Sequence, residues 1–388
     1  MRIILYGGTF NPPHLGHVAA AQTVSELLHP DRFLVVPDAL PPHKELEEGS
    51  PSIEARIELC RLAFRDIPHV EVSDVTLGRK GRCYSADTVA ALREQYPEDQ
   101  LIFLLGTDMF LSFEDWYRYE YLMKECVLAV LPREEDERPA LEAQAEHLRR
   151  KYDATVALLP HEPLPLHSHI IRERLRRRLG SDMLDDAVYS EIIRHRWYDA
   201  QPELSWLREK AYAWLKPKRI AHVAGCENEA VMLAGYWGED PEHAAEAAIL
   251  HDMAKKFKLE EQLQICEKYG IINDHDELAS PRILHAKTGA ALAKDLFGAE
   301  DEVAEAIRWH CTGKPDMTML EKIIWLADYI EPTRDFPGVE KIRKLAYEDI
   351  DEALAAALGM SLEHIRRDGG EPYRDTVEAY RWYSRDED

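Results

Sequence analysis

The character of this 388-residue chain changes near residue 200, and that change constrains its fold more than any other feature. Before it, short β-rich runs bounded by Gly, Pro or charged residues alternate with amphipathic segments. The β-rich runs are 3–6, 33–36, 101–105, 127–131 and 155–159, and helical segments include 18–28, 53–64 and 85–95. This alternation predicts a parallel sheet with helices on both faces. Ligands of such sheets gather at the carboxyl ends of the strands.

From about Leu204 onward the strand signals vanish. Periodic apolar positions and many alanines predict helices throughout, with stops at Gly238, Gly270, Gly313 and Pro332. The boundary between the two patterns is predicted in the segment 199–202. We therefore predict an α/β domain over residues 1–200, followed by an all-α domain over residues 203–388.

Composition narrows the class of protein. A formal net charge of −24 argues against a nucleic-acid backbone as the main partner. An arginine cluster at 172–178 is predicted to be mostly a solvated helix face, and the charged stretch 133–138 an exposed loop. Six scattered cysteines, without a C-x-x-C pair, fit free thiols in a reducing cytosol. With no apolar run near the roughly 20 residues that span a bilayer and no signal peptide, we expect a cytoplasmic protein without a membrane partner.

A glycine-rich loop with two histidines follows the first predicted strand. The strand closes at Tyr6, residues 7–17 read GGTFNPPHLGH, and the next helix is predicted to start near His14. A helix N-terminus after such a loop presents free N–H groups and suits phosphate. His14 and His17 are three residues apart and share a helix face. The alternative is a structural role near a turn, but the combination favours a phosphate site.

This stretch resembles the H-x-G-H nucleotidyltransferase superfamily. Together with the segment 41–44 (PPHK), it is similar to the nicotinate-mononucleotide adenylyltransferases in particular, and the similarity runs from Met1 to about Tyr198. It includes the segments 81–88 and 106–108. The resemblance implies a Rossmann-like fold, in which the phosphate of nicotinate mononucleotide attacks the α-phosphorus of ATP in line and pyrophosphate leaves.

The same resemblance implies the site residues. His14, His17, Lys44 and Arg172 would hold the triphosphate, with Mg²⁺ accompanying ATP. The expected nucleotide-binding residues are Gly8, Thr9, Phe10, Tyr84, Thr88, Gly106, Asp108, Trp116 and Ser168. Of these, Tyr84 and Trp116 would frame the nicotinate ring. For Trp116, the sequence alone favours the alternative of a plain core aromatic.

One segment departs from the family. The adenylyltransferases carry a Ser-Ser-Thr-x-Ile-Arg run that opens a helix and binds phosphate. This chain has His167, Ser168 and His169 before Ile170, Ile171 and Arg172, so two hydroxyls are replaced by imidazoles. An imidazole can still donate one hydrogen bond, and a protonated imidazole would add positive charge near the triphosphate. We expect the transferase to be active despite this change.

The helical half carries an ordered series of metal-type ligands: His222, His251, Asp252, His285, His310 and Asp328. Asp252 follows the apolar run 247–250, and Asp328 lies inside the apolar run 323–330. A carboxylate on an apolar helix face costs several kcal/mol unless something pairs with its charge. For Asp328 alone, pairing with an arginine or a helix cap is an equal alternative. Two such carboxylates with four histidines favour a metal centre.

This series resembles the HD-domain phosphohydrolases. The flanking segments 251–255, 310–315 and 327–339 are similar to the YqeK-type symmetrical diadenosine tetraphosphatases, over roughly 204–382. The ligand set fits two ions, of which one could take His222, His251, Asp252 and Asp328, and the other His285 and His310, with Asp252 bridging. Imidazole and carboxylate without thiolate suit iron, or manganese, better than a structural zinc. Lys255 and Arg334 could pair with phosphate, or could simply face solvent.

We therefore interpret the sequence as a fused enzyme of nucleotide metabolism. Its predicted substrates are ATP, nicotinate mononucleotide and diadenosine tetraphosphate, and a homo-oligomer is compatible with the sequence. One alternative is an HD phosphohydrolase with another nucleotide substrate. In another, the first half is a catalytically weak sensor that binds adenine nucleotides.

Overall fold

The computed structural model of the chain describes residues 1–38, 46–77, 84–162, 164–271 and 281–384. The chain divides into two compact units, Met1–Gln201 and Pro202–Asp388. The first unit contains the sheet, and the second is helical.

Over the described residues, the first unit has a six-stranded parallel sheet with the order β3-β2-β1-β4-β5-β6. The strands are β1 (Arg2–Gly8), β2 (Arg32–Pro37), β3 (Val70–Val72), β4 (Gln100–Gly106), β5 (Cys126–Leu131) and β6 (Val156–Leu158). The predicted parallel sheet is confirmed. β3 was not predicted, because a three-residue edge strand with an exposed Glu71 carries little alternation.

The order of the strands creates a crevice between β1 and β4. Chain connections run to one side from β1 through β2 to β3, and to the other side from β4 through β5 to β6. The connections therefore diverge at the carboxyl ends of β1 and β4, where ligands of open α/β sheets bind. β1 is buried at residues 3–5 and β4 at residues 101–105, so both strands are anchored in the core beneath the crevice.

The helices of the first unit flank this sheet. They are α1 (Leu15–Leu28), α2 (Ile53–Phe64), α3 (Ser85–Gln95), α4 (Thr107–Leu111), α5 (Tyr119–Glu125), α6 (Arg138–Tyr152), α7 (Ser168–Leu175) and α8 (Asp186–His195). The sequence predicts α2 and α3 with these same bounds. Local caps explain some of the starts, since Ser52 Oγ accepts from the backbone N–H of Ala55, and Asp185 accepts from that of Ala187.

Two predictions about charged segments hold only in part. The stretch 133–138 is largely exposed, as predicted, but Glu135–Glu137 form a 3₁₀ turn that leads into α6 instead of an irregular loop. There, the Glu137 carboxylate accepts hydrogen bonds from the Arg133 backbone N–H at 2.7 Å and from the Thr107 hydroxyl. In the arginine cluster, Arg176 and Arg177 are exposed as predicted, whereas Arg178 is buried.

The second unit is built from helices, as predicted. They are α9 (Leu204–Tyr212), α10 (Pro217–Trp237), α11 (Pro241–Leu250), α12 (Leu259–Tyr269), α13 (Pro281–Phe297), α14 (Asp301–Trp309), α15 (Met319–Ile330), α16 (Val339–Leu345), α17 (Ile350–Arg367) and α18 (Arg374–Ser384). Gly238 and Gly270 follow α10 and α12 with φ of 77° and 63°, a conformation that glycine adopts without strain. Within the described ranges, no helix is long and apolar enough to cross a membrane.

The end of the first unit supports the glycine-rich loop. Tyr198 is fully buried, and its hydroxyl donates a 2.8 Å hydrogen bond to Asn11 Oδ1. The amide nitrogen of Asn11 in turn donates to Ser50 Oγ at 2.9 Å. Hydrogen bonds from residues distant in sequence therefore hold the loop between β1 and α1 in place.

Replacing Tyr198→Phe tests this support. The change leaves Asn11 Oδ1 buried without its donor, so we expect the free energy of unfolding of the first unit to fall by about 1–3 kcal/mol. Amide hydrogen exchange of β1 and β4 in the full chain measures this loss. Tyr117→Phe is the control, because the Tyr117 side chain is exposed. Equal stability of the two variants would contradict the proposed support.

Candidate functional sites

A cavity of about 770 Å³ lies at the carboxyl ends of β1 and β4. Its walls are the glycine-rich loop, the first turn of α1, the start of α4 and the N-terminus of α7. Gly8, Thr9 and Phe10 lie in this wall, with His14 and His17 beside them. The structure thus places the predicted phosphate loop at the crevice that the sheet creates.

The two histidines form one stacked unit. Their ring centroids are 3.7 Å apart, and the backbone N–H of His14 donates to His17 Nδ1 at 3.2 Å. Since Nδ1 of His17 accepts, its proton is on Nε2, where it can be donated to a ligand. Phe10 packs edge-on against His17 at 5.0 Å and holds the ring in place.

Both imidazoles are electrically neutral at physiological pH. Burial, reinforced by Arg133 and His167, lowers the pKa of His14 to about 3. Burial and the neighbouring His14 also hold the pKa of His17 well below its usual value. These residues are therefore hydrogen-bond donors and not fixed positive charges.

Arg172 provides a permanent positive charge at this site. It is buried on α7, donates to the Asn11 carbonyl oxygen at 2.7 Å and pairs with the Glu47 carboxylate, with Nε 3.0 Å from Oε2. Ser168 Oγ donates to the Pro12 carbonyl oxygen at 3.2 Å. The N-terminus of α7 is therefore tied directly to the glycine-rich loop.

Arg133 is a cavity residue that the sequence analysis missed. It pairs with Asp108 at 2.6 Å, and a Cβ on Gly106 would lie 2.9 Å from Arg133 Nε. Glycine at position 106 therefore permits the close approach of this guanidinium. Arg133 could not be singled out from the sequence, because it lies in a long charged run and such runs usually form solvated surface.

The remaining predicted residues of this half divide into three groups. Tyr84 and Trp116 line the cavity. The Trp116 ring also packs against Phe113, with centroids 5.3 Å apart, so the core contact and the cavity wall coexist. Thr88 is buried on α3 and is not among the described residues that line the cavity. Lys44 lies outside the described residues.

In the second unit, all six predicted ligands converge. His222 is on α10, His285 on α13 and Asp328 on α15, whereas the other three directly follow the ends of α11 and α14. Asp252 has no exposed surface, and the four imidazoles are at most 6 % exposed. The sequence series thus marks one buried cluster.

Backbone contacts fix the orientation of three imidazoles. Nδ1 of His251, His285 and His310 each lies 2.6–2.7 Å from the carbonyl oxygen three residues earlier. A carbonyl only accepts, so each Nδ1 carries the proton and each Nε2 faces inward. These Nε2 atoms lie 3.5, 3.2 and 3.9 Å from the carboxylate oxygens of Asp252. Ligating histidines in proteins have this outer contact.

His222 is oriented by a carboxylate instead. Its Nε2 lies 3.0 Å from Asp328 Oδ1, while its Nδ1 lies 3.0 Å from Glu331 Oε1. Glu331 is fully buried and accepts from the backbone N–H of Thr333 at 2.6 Å. This role of Glu331 could not be predicted from the sequence, since Glu331 lies just beyond the end of α15 and belongs to no periodic pattern.

Cations surround the two carboxylates. Asp252 pairs with Arg219 and, at 3.1 Å, with Lys255, and Asp328 pairs with Arg334 at 2.7 Å. The sequence had left open that arginines, and not metal, pair with these carboxylates. Each carboxylate does pair with one arginine, so this alternative is correct in part. Arg219 was not predicted as a site residue.

The imidazoles nevertheless fit a metal better than a closed ion-pair network. Nε2 of His285 and Nε2 of His310 are 3.2 Å apart, and burial lowers the pKa of both residues, to about 3 for His310. Because both rings are neutral and carry their protons on Nδ1, the lone pairs of the two Nε2 atoms point at each other. A cation bound by both nitrogens would remove this repulsion. The closest contact of the buried His251 Nε2 with Asp252 is 3.5 Å long, and Asp252 Oδ1 contacts Lys255 Nζ at 3.1 Å.

The protonation of His251 is controlled by the neighbouring Asp252 carboxylate. Burial opposes a charge on His251, but the adjacent Asp252 outweighs burial and raises the pKa of His251. The same contact keeps the pKa of Asp252 well below its usual range despite burial. The cluster thus combines anionic carboxylates with imidazole nitrogens, and a divalent cation that bound there would replace the proton that Asp252 favours on His251.

Gly225 provides a test of Glu331. A Cβ at Gly225 would lie 2.5 Å from Glu331 Oε2, whereas one at Gly235 on the same helix meets nothing within 4 Å. Gly225→Ala should displace the carboxylate from His222 and weaken the affinity of the cluster for divalent metal by about 10–100-fold. Gly235→Ala gains the same helix propensity and should bind metal normally. Equal metal affinity in a competition titration would contradict a positioning role for Glu331.

The neutral state of His14 predicts a pH-dependent stability. A lowered folded-state pKa means that the unfolded chain binds more protons between about pH 3 and 6.5, so the stability from His14 is complete above 6.5 and is lost as pH falls. At pH 5 this loss is about 2 kcal/mol.

His14→Gln should therefore reduce the difference in unfolding free energy between pH 7 and pH 5 by that amount. Amide hydrogen exchange of β1 and β4 at the two pH values measures it. An unchanged pH dependence in the variant would show that His14 is not held neutral.

Comparisons with known proteins match the two units separately. The cytidylyltransferase-like family matches residues 5–174, and the HD domain family matches residues 219–333. A symmetrical bis(5'-nucleosyl)-tetraphosphatase of Bacillus subtilis is 39% identical over 183 residues, which cover 45% of this chain and 96% of the relative.

A probable nicotinate-nucleotide adenylyltransferase of Carboxydothermus hydrogenoformans is 31% identical over 198 residues, which cover 51% of this chain and 98% of the relative. A predicted HD superfamily hydrolase involved in NAD metabolism from Clostridium acetobutylicum, known from its crystal structure, is 36% identical in sequence to this chain. The match covers 47% of this chain and 97% of that protein, with a TM-score of 0.46. The chain therefore belongs to two families in one polypeptide, the nicotinate-nucleotide adenylyltransferases through its first unit and the symmetrical bis(5'-nucleosyl)-tetraphosphatases through its second.

Proposed function

We propose that the chain is a bifunctional enzyme. The first unit transfers the adenylyl group of ATP to nicotinate mononucleotide, giving nicotinate adenine dinucleotide and pyrophosphate. The second unit hydrolyses diadenosine tetraphosphate to two ADP. The observation that carries this proposal is that each unit contains its own converging set of polar side chains, drawn from helices and loops of that unit alone.

In the adenylyl transfer, the protein positions the phosphates and stabilises charge. Nε2–H of His17 and the neutral His14 are placed to donate to phosphate oxygens at the N-terminus of α1, where the helix dipole favours negative charge. Mg²⁺, bound with ATP, would neutralise phosphate charge. The mononucleotide phosphate then attacks the α-phosphorus in line, and no covalent intermediate with the protein is required.

The arginines complete this site. Arg172 would exchange its contact with Glu47 for a triphosphate oxygen, because a guanidinium forms bidentate pairs with phosphate as well as with carboxylate. His167 and His169 line the cavity beside it, with ring centroids 5.7 Å apart. We assign them the donor role of the hydroxyls found in related adenylyltransferases.

In the hydrolysis, six side chains would hold two transition-metal ions. We assign His222, His251, Asp252 and Asp328 to one ion and His285 and His310 to the other, with Asp252 shared. The ligand atoms of His222, His251 and Asp328 lie within 4.8 Å of one another, as do those of His251, Asp252 and His310. Iron is the favoured metal, with manganese as an alternative. Such ions stabilise phosphoryl oxygens as Lewis acids and lower the pKa of water.

Three cationic side chains would bind the polyphosphate. Arg219, Lys255 and Arg334 surround the carboxylates and are each about one-third exposed, so a ligand can reach them. Their ion pairs with Asp252 and Asp328 would be exchanged for contacts with metal-neutralised phosphate. This exchange keeps the local charge balanced when the substrate enters.

A second candidate function of the first unit is nucleotide sensing with little catalysis. The observation in its favour is that Arg172 is paired with Glu47, next to a phosphate segment in which two hydroxyls have become imidazoles. In the second unit, the proposed metal ligands specify the type of reaction but do not specify the leaving group. The alternative for this unit is therefore hydrolysis of another nucleotide substrate. Assays of the full chain against a panel of mononucleotides, dinucleoside polyphosphates and ATP distinguish these cases.

The two activities should be separable. His17→Ala should lower dinucleotide synthesis by about 10²–10³-fold, because a donor to the transition-state charge is lost. It should leave diadenosine tetraphosphate hydrolysis intact, and Asp252→Ala should do the reverse while removing bound metal. Parallel product assays and metal analysis check both variants. Loss of both activities in either variant, with the fold retained, would contradict independent sites.

A further inference from the structure

We propose that the Cys311 sulfur joins His285 and His310 in a mixed imidazole–thiolate site for one divalent cation. This inference rests on the metal centre proposed above and adds a ligand to it. It also changes the chemical character of one of the two cation sites, because the sequence series contains nitrogen and oxygen ligands only.

The three ligand atoms form a compact triangle. Cys311 Sγ lies 3.2 Å from Nε2 of His310 and 3.5 Å from Nε2 of His285, and the two nitrogens are 3.2 Å apart. With metal–nitrogen bonds of about 2.0–2.1 Å and metal–sulfur bonds of about 2.3 Å, a tetrahedral ion separates its ligand atoms by roughly 3.4–3.6 Å. The observed spacings need only small adjustments to hold such an ion.

A buried carboxylate oxygen points to the same place. Asp252 Oδ1 lies 3.2 Å from Nε2 of His285 and also pairs with Lys255 Nζ at 3.1 Å. The Asp252 side chain has no exposed surface. With Cys311 this oxygen gives the second cation four ligands, whereas two imidazoles and a shared carboxylate give three.

The other cysteine of the cluster is placed differently. Cys226 Sγ is 3.5 Å from Nε2 of His222 and 3.8 Å from its Nδ1. A sulfur close to both ring nitrogens lies beside the ring and not in front of the Nε2 lone pair. The cation that His222 would bind already has four nitrogen and oxygen ligands, so Cys226 is not assigned as a ligand.

The proposed ligand has a chemical consequence. Binding breaks the Cys311 S–H bond, forms a sulfur–metal bond and releases the proton to solvent. A thiolate favours softer ions such as zinc over manganese. The two cation sites of this chain would therefore differ in metal preference, the thiolate-containing one being the softer.

Cobalt(II) titration of the metal-depleted full chain tests the assignment. Wild type should develop an intense near-ultraviolet thiolate-to-cobalt charge-transfer band. Cys311→Ser should lose the band and bind one equivalent of cobalt about tenfold or more weakly. Cys226→Ser is the matched control, a second thiol of the same cluster, and should keep both properties.

A measurement on wild type guards against a variant that fails to fold. Alkylation of Cys311, followed by mass spectrometry, should slow at least about tenfold when zinc is bound, since the ligating sulfur is engaged. Two bound cobalt ions without the band, a band lost in Cys226→Ser instead, or unprotected Cys311 would overturn this assignment and leave the metal centre standing. Failure of wild type to bind cobalt or zinc would overturn both proposals.

Discussion

The helical unit depends on the burial of one carboxylate. Asp252 has no exposed surface, and burying an isolated charge is prohibitively costly without compensation. Inward-facing imidazoles from three helix segments, a guanidinium and an ammonium group converge on it. Because these partners come from segments far apart in sequence, the charge of Asp252 links the packing of the helices to the chemistry of the site.

The contacts behind the imidazoles explain why this cluster suits catalysis as well as the packing of the helices. Backbone carbonyls and Glu331 hold the outer nitrogens of the imidazoles, so the inner nitrogens are directed before any ligand arrives. Fixed ligands reduce the reorganisation that metal and substrate binding would otherwise require. The first unit follows the same principle by different means, since the stacked pair of His14 and His17 is oriented by a backbone N–H and by Phe10.

Much of this could be predicted from the sequence, for physical reasons. Central parallel strands are continuous apolar runs, and α2 and α3 carry clear amphipathic periodicity, so their positions could be predicted. The metal-type ligands stood out because carboxylates rarely follow apolar helix runs. By contrast, β3 is too short and too exposed to leave a pattern.

The residues that escaped prediction act through contacts distant in sequence. Glu331 gains its role only when α15 brings it beside His222 on α10, and Arg219 only when it meets Asp252. Arg133 was hidden in a charged run that proves to lead back to the cavity. Such roles arise from tertiary packing, which no local periodicity reports.

We propose that divalent cations, and not protein side chains alone, neutralise the buried charge of Asp252. The most direct measurement is anomalous X-ray scattering from crystals of protein with its native metals. We predict two peaks that flank Asp252, one among His222, His251 and Asp328 and the other beside His285 and His310, with Arg219 displaced from the carboxylate. Fully active crystals without anomalous peaks, and with the Arg219–Asp252 ion pair intact, would contradict the account.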